Sequence, residues 1–142
     1  MEIAAPADMV FRYLADFAAH PAWSEATATV EPPAAGSFIV GAEFGLVGSG
    51  GKRREARVTA LQAPMRIAWE ARSDEAIEDW EFIVLPSATA TTLGLRLTVQ
   101  PRKPLRWLVR DRWHTNDVAA QNLVSLAMIK AILEASLLED DG

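Results

Sequence analysis

Ile3-Ala4-Ala5-Pro6-Ala7-Asp8-Met9-Val10-Phe11-Arg12-Tyr13-Leu14-Ala15-Asp16, closed by His20-Pro21-Ala22-Trp23, is the stretch whose reading decides the fold. Its opening reads as the end of a strand. Pro6 suits the first turn of a helix, where its missing N–H is not needed. Asp8 then lies in that turn and is favoured by the helix dipole. Val10, Tyr13, Leu14 and Phe17 recur at helical spacing, which gives this helix one buried face. A second short helix is expected around Ala22 to Ala26, next to Trp23.

Beyond this stretch the punctuation is that of an antiparallel meander. Thr27 to Val30 reads as a short strand, stopped by Pro32-Pro33. Ile39 to Val47 is predicted as one strand and Gly48-Ser49-Gly50-Gly51 as a hairpin tip, since glycine takes positive φ without steric cost. Arg54 to Leu61 returns, with Ala56, Val58 and Ala60 on one face and Glu55, Arg57 and Thr59 on the other. Gln62-Ala63-Pro64 turns the chain, and Arg66 to Arg72, Glu78 to Leu85 and Thr91 to Gln100 follow as strands. In the last of these Leu93, Leu95, Leu97 and Val99 alternate with Thr92, Gly94, Arg96 and Thr98, so one face is buried and the other wet.

Pro104 to Leu138 reads as helix throughout. At ~1.5 Å per residue it would be about 50 Å long, whereas a domain of this size is about 35–40 Å across. A bend is therefore expected near His114-Thr115-Asn116-Asp117, where Asn116 or Asp117 could cap a fresh start. After it, Val118, Asn122, Leu126, Ile129 and Leu133 form the stripe that would face the sheet.

The 142 residues are expected to form one domain, 1–142, large enough to bury a core without staples. The absence of cysteine excludes disulfides and thiol chemistry and fits a reducing compartment. No apolar run approaches the ~18 residues of a membrane span. No secretory signal is visible, so a cytoplasmic location is the expectation. A net charge of −5 argues against a nucleic-acid partner. That charge is uneven. Arg102, Lys103, Arg106, Arg110 and Arg112 face only Asp111 between Pro101 and His114. This segment reads as a solvated helix start or, with Trp107 and Trp113, as a contact for anionic head groups.

The segment Ile3 to Trp23, the Ala63-Pro64 turn with its following strand, the Trp80 to Pro86 strand and the long terminal helix together resemble the START-like helix-grip (SRPBCC) superfamily. The resemblance is to its polyketide cyclase/dehydrase branch. It implies an α+β helix-grip fold: a curved antiparallel sheet of six to seven strands around a long C-terminal helix, with two short helices near the N-terminus. It also implies an apolar cavity between sheet and helix that takes hydrophobic or amphipathic molecules. The family has no single catalytic motif, so none is carried over, and fold alone does not settle function. Only Met1 and Glu2 precede Ile3, so the first strand is expected to be short or truncated. An unpaired edge on the last strand would invite self-association, hence a homodimer.

The candidate ligand-binding residues are Trp23, Phe44, Trp69, Trp80, Phe82, Leu95, Asn122 and Leu126. Trp80, Phe82 and Val84 share one strand face, and Trp69 shares its own with Ile67 and Ala71. If those faces point inward, they offer broad apolar surface to a flat ligand, although core filling competes for the same rings. Trp23 reads as an anchor of the helices or as a lining of the cavity mouth. Asn122 and Ser125 lie near the apolar stripe, where a buried polar group needs a partner. The acidic stretch Glu70, Asp74, Glu75, Glu78, Asp79 and Glu81 reads as a solvated hairpin rather than a metal site. His114, three residues before Asp117, is a weak catalytic candidate, and Glu55, Arg57 and Asp79 are others, although alternation turns Glu55 and Arg57 toward solvent. Two histidines without recurrent ligand spacing speak against a metal, and no glycine loop opens a helix as a nucleotide would require, so no cofactor is expected.

The expected function is binding or carriage of a small hydrophobic molecule in that cavity. An enzyme would be a cyclase or dehydratase of lyase type, with neither metal nor nucleotide, and would need an inward acid or base. The second alternative is lipid delivery, docking on an anionic membrane through residues 102–112.

Overall fold

The computed structural model describes residues 1–24, 27–102 and 123–138. The chain runs β1 (Glu2–Ile3), helix α1 (Ala7–Ala15), a 3-10 helix (Phe17–Ala22), β2 (Thr29–Glu31), β3 (Glu43–Val47), β4 (Arg53–Gln62), β5 (Arg66–Arg72), β6 (Ala76–Pro86) and β7 (Thr91–Pro101). Helix α2 occupies 123–138. The strands form one curved seven-stranded sheet in the order β1-β7-β6-β5-β4-β3-β2, with every pair antiparallel. β1 and β2 are successive in sequence yet stand at opposite edges. The helical segment between them carries the chain from one edge to the other, and its apolar side chains are buried in the core.

That helical segment is short and strongly sided. Val10, Phe11 and Leu14 of α1 are buried, while Asp8 and Arg12 form an i,i+4 ion pair in solvent. Phe11, rather than the half-buried Tyr13, completes the buried face. Pro6 sits one position earlier than expected, as the residue before the first turn, where its carbonyl accepts from the N–H groups of Met9 and Val10. The second helix also comes earlier than its expected place at Ala22. Asp16 leaves helical geometry at ψ 85°, and the chain restarts at once as a 3-10 helix that tolerates Pro21 and ends at Trp23.

Two further differences have local causes. The strand expected from Ile39 begins only at Glu43, because Gly41 takes φ +90° and leaves Ile39 and Val40 exposed in a loop. The hairpin tip at 48–51 is as read, with Gly51 at φ +81° and the Gly48 N–H donated to the Lys52 carbonyl. In β4 the register shifts between Val58 and Ala60. Two residues there oppose one on β5, so Ala60 leaves the face of Ala56 and Val58 and Leu61 takes its place.

Cross-strand pairing defines the inward face row by row. One row is Phe44, Ala56, Ala71, Glu78 and Val99; the next is Val58, Trp69, Trp80 and Leu97. Then come Leu61, Ile67, Phe82 and Leu95, followed by Val84 and Leu93. Glu55 and Arg57 lie on the opposite face and are exposed, as alternation requires.

Ile129 and Leu133 of α2 are buried in the core and Leu126 packs beside them, while Leu123, Val124 and Met128 face outward. Polar ties fix the helix to the first strand. The Glu134 carboxylate accepts from the Ala4 N–H at 3.0 Å, and Lys130 donates to the Glu2 carbonyl and to Glu134, both at 2.8 Å. At the same corner Thr91 Oγ1 donates to the Ala5 carbonyl at 2.7 Å. β1 spans two residues, which pair with Thr92 and Thr91 of β7. Val118, Asn122, the bend expected at 114–117 and His114 lie outside the described residues.

The seating of α2 is checked by two neighbouring positions. Ile129→Ala is expected to cost about 2–5 kcal/mol in urea unfolding, whereas Met128→Ala stays within about 0.5 kcal/mol.

Candidate ligand-binding site

The inward face is closed at one end by aromatic rings. Phe17 is fully buried and packs on Phe38, Phe44 and Trp69, with ring centroids 5.3, 5.1 and 5.5 Å away. Trp23 stands edge-on to Phe82 at 5.5 Å and against His20 at 4.6 Å. Trp69 and Trp80 stack in parallel at 5.7 Å, 2° apart. Trp23, Phe44, Trp69 and Phe82 are therefore core residues, each at most 3% exposed.

Burial fades across the sheet. Val84 and Leu93 are fully buried, as are Ile67 and Phe82 in the next row. Trp80, Leu95, Leu97 and Val99 are only half-buried, although they occupy the same face. Among the described residues, the less covered part of the concave surface is thus the β6–β7 corner. Of the residues read from sequence, Trp80 and Leu95 border it, and the half-buried Leu126 packs on the core from α2. Asn122 belongs to the undescribed segment.

Polar groups converge beside this corner. Arg54 and Glu78 both lie on the inward face, on β4 and β6, with β5 between them. Two strand spacings, about 10 Å, separate their backbones, a span suited to an arginine reaching over the small Ala71. Arg54 Nη1 donates to both Glu78 oxygens at 3.0 and 2.9 Å, and Nη2 donates to Thr27 Oγ1 at 3.2 Å. The two charged side chains are only 15% and 17% exposed. The indole N–H groups of Trp80 and Trp23 and the Tyr13 hydroxyl are buried without a hydrogen-bond partner among the described residues.

Reading the acidic stretch as one solvated hairpin is corrected here. Glu70 pairs with Arg72, and Glu81 with Arg66, on the outer face. Glu78 turns inward. The signal was present in the sequence, because Glu78 has the parity of Trp80 and Phe82, and Arg54 that of Ala56 and Val58. What hid it was the expectation that charge at a hairpin means solvent.

The family model for polyketide cyclase/dehydrase and lipid transport matches residues 1–134. The chain belongs to this family. A search among curated proteins returns no match. Solved structures share the fold at low identity. XoxI from Bacillus cereus superposes with a TM-score of 0.73 at 13% identity, covering 94% of this chain and 91% of that one. A START superfamily protein from Mycobacterium smegmatis gives 0.66 at 18%, covering 95% and 94%. The di-domain ARO/CYC StfQ of the steffimycin biosynthetic pathway gives 0.72 at 13%, covering 96% of this chain and 50% of StfQ.

In this polyketide cyclase/dehydrase-family chain the histidine among the described residues is His20. His20 is buried between Phe17, Trp23 and Trp69, and its Nε2 lies 3.0 Å from the Leu14 carbonyl. A carbonyl only accepts, so the neutral ring carries its proton on Nε2. Loss of hydration pushes the His20 pKa down to about 4, and the carbonyl contact opposes this only in part. Protons bind the unfolded chain first, near pH 6.5, and the folded one only near pH 4. The resulting stability is complete above pH 6.5 and drains away as pH falls towards 4. Replacing His20 by Leu should flatten the fall in unfolding free energy between pH 7 and 4 by about 3 kcal/mol, measured by denaturant titration at each pH.

Proposed function

We propose that this chain binds a small hydrophobic or amphipathic molecule against the inward face of β6 and β7. The observation that carries the reading is the burial gradient. The same apolar face is closed over β5 by Phe17 and Trp23 and left half-open at Trp80, Leu95, Leu97 and Val99. Transfer of apolar ligand surface from water onto these side chains supplies ~25 cal/mol per Å². The Arg54–Glu78 pair and the Trp80 N–H, which has no partner among the described residues, orient the polar part. Membership of a family described by both cyclisation and lipid transport supports a hydrophobic ligand.

Cyclase or dehydratase chemistry is the second reading. It is favoured by one observation: Glu78 is a carboxylate on the same inward face as Trp80, where a general base would have to stand. Lipid delivery through 102–112 gains no such support. Among the described residues of that segment, Arg102 donates to the Ser73 carbonyl at 3.1 Å. No helix among the described residues is long and apolar enough to cross a membrane.

Fluorescence titration with N-phenylnaphthylamine tests the binding reading. One saturable site is expected in the native protein. Leu97→Trp, which fills the half-open corner, should weaken it by about tenfold or more, and Thr98→Ala on the outer face should leave it unchanged. Equal affinity in all three proteins, or no saturable binding at all, would overturn the assignment.

A further inference from the structure

We propose that Glu78 is the specificity determinant of this site: by neutralising Arg54 it makes the pocket select ligands with an uncharged polar end and reject carboxylates. This rests on the reading of the β6–β7 corner as the ligand site.

An arginine on the inward face of an apolar sheet would ordinarily be the group that draws in an acid. Here its charge is already met. Nη1 lies within hydrogen-bond distance of both Glu78 oxygens, and Nη2 is engaged by Thr27 Oγ1. The pair has no net charge and is largely removed from water. A carboxylate arriving beside it would meet a second carboxylate in poor solvation, and neither could be fully compensated by the one guanidinium. A hydroxyl fits instead. Glu78 still has lone pairs to accept its proton, and the guanidinium has N–H groups without partners among the described residues. Trp80, two residues from Glu78 on the same face, adds a buried indole N–H that can only donate. An alcohol, phenol, ketone or amide can use these groups without bringing charge into the site.

The selection is negative as much as positive. Thr27, Arg54 and Trp80 would all suit an anion, and among the described residues that hydrogen-bond here Glu78 is the group that opposes it. Removing its charge while keeping its shape should therefore invert the preference rather than abolish binding.

The test uses a matched pair of probes, naphthalenemethanol and naphthoate, titrated by calorimetry at neutral pH into the native protein, Glu78→Gln, and the double variant Arg54→Gln with Glu78→Gln. The native protein should favour the alcohol by about tenfold or more. Glu78→Gln should favour the carboxylate, and the double variant should lose that gain because the freed guanidinium is gone. A ratio of affinities unchanged within twofold between native protein and Glu78→Gln overturns the selectivity. So does a carboxylate gain that survives loss of Arg54. Failure of both probes to bind any of the three proteins overturns the site itself, and the selectivity with it. Thermal melting of each variant establishes that the comparison is made on folded protein, and the double variant needs no buried charge to be satisfied.

Discussion

The structure depends on Phe17 and its neighbours closing one end of a concave apolar sheet. A sheet with one apolar face must cover that face, and among the described residues the cover is nine residues of α1, the six-residue 3-10 helix and the inner edge of α2. Aromatic rings are concentrated at one end of that cover. Phe17 reaches β3 through Phe44 and β5 through Trp69, so a single side chain ties strands that are not neighbours. Such a wedge is rigid because close-packed rings have few alternative arrangements. A rigid closed end allows the β6–β7 corner to remain half-open without loosening the fold.

The polar groups of the concave face follow from the same geometry. Isolated charges there would lack adequate hydration, so Arg54 and Glu78 are tolerable only as a pair. Alanines occupy the inward positions of β4 and β5 in the row of Glu78. Small side chains at Ala56 and Ala71 leave room for the arginine to reach the Glu78 carboxylate. Pairs of this kind contribute little net stability, since desolvation offsets their attraction. Their consequence is chemical: they fix which partial charges a bound molecule meets. The buried His20 is a different case. It lies behind the wedge, hydrogen-bonded to the helix before it, and contributes through packing as a neutral ring.

Membership of the polyketide cyclase/dehydrase and lipid transport family fits this division between a closed end and an open one. The solved relatives keep the fold while sharing few residues with this chain. A sheet face and a helix can be held together by many combinations of apolar side chains. Among the described residues, the inward polar groups are Arg54, Glu78 and the indole of Trp80, with Thr27 beside Arg54.

Local pattern in the sequence determined the strands, their order as a meander, the apolar face of each and the seating of Ile129 and Leu133. Those features depend on alternation and helical spacing, which are properties of neighbouring residues. Strand limits failed where a backbone torsion intervened, at Gly41, and face assignment failed at the Val58–Ala60 bulge, where one extra residue reverses parity. Trp23, Trp69 and Phe82 were legible as inward residues, but whether they seal the core or line an opening was not. That choice depends on what lies opposite, and Phe17 comes from a segment far away in the chain. The pairing of Arg54 with Glu78 is likewise a tertiary fact. Twenty-four residues separate them, and only the order of strands in the folded sheet brings one guanidinium across to one carboxylate.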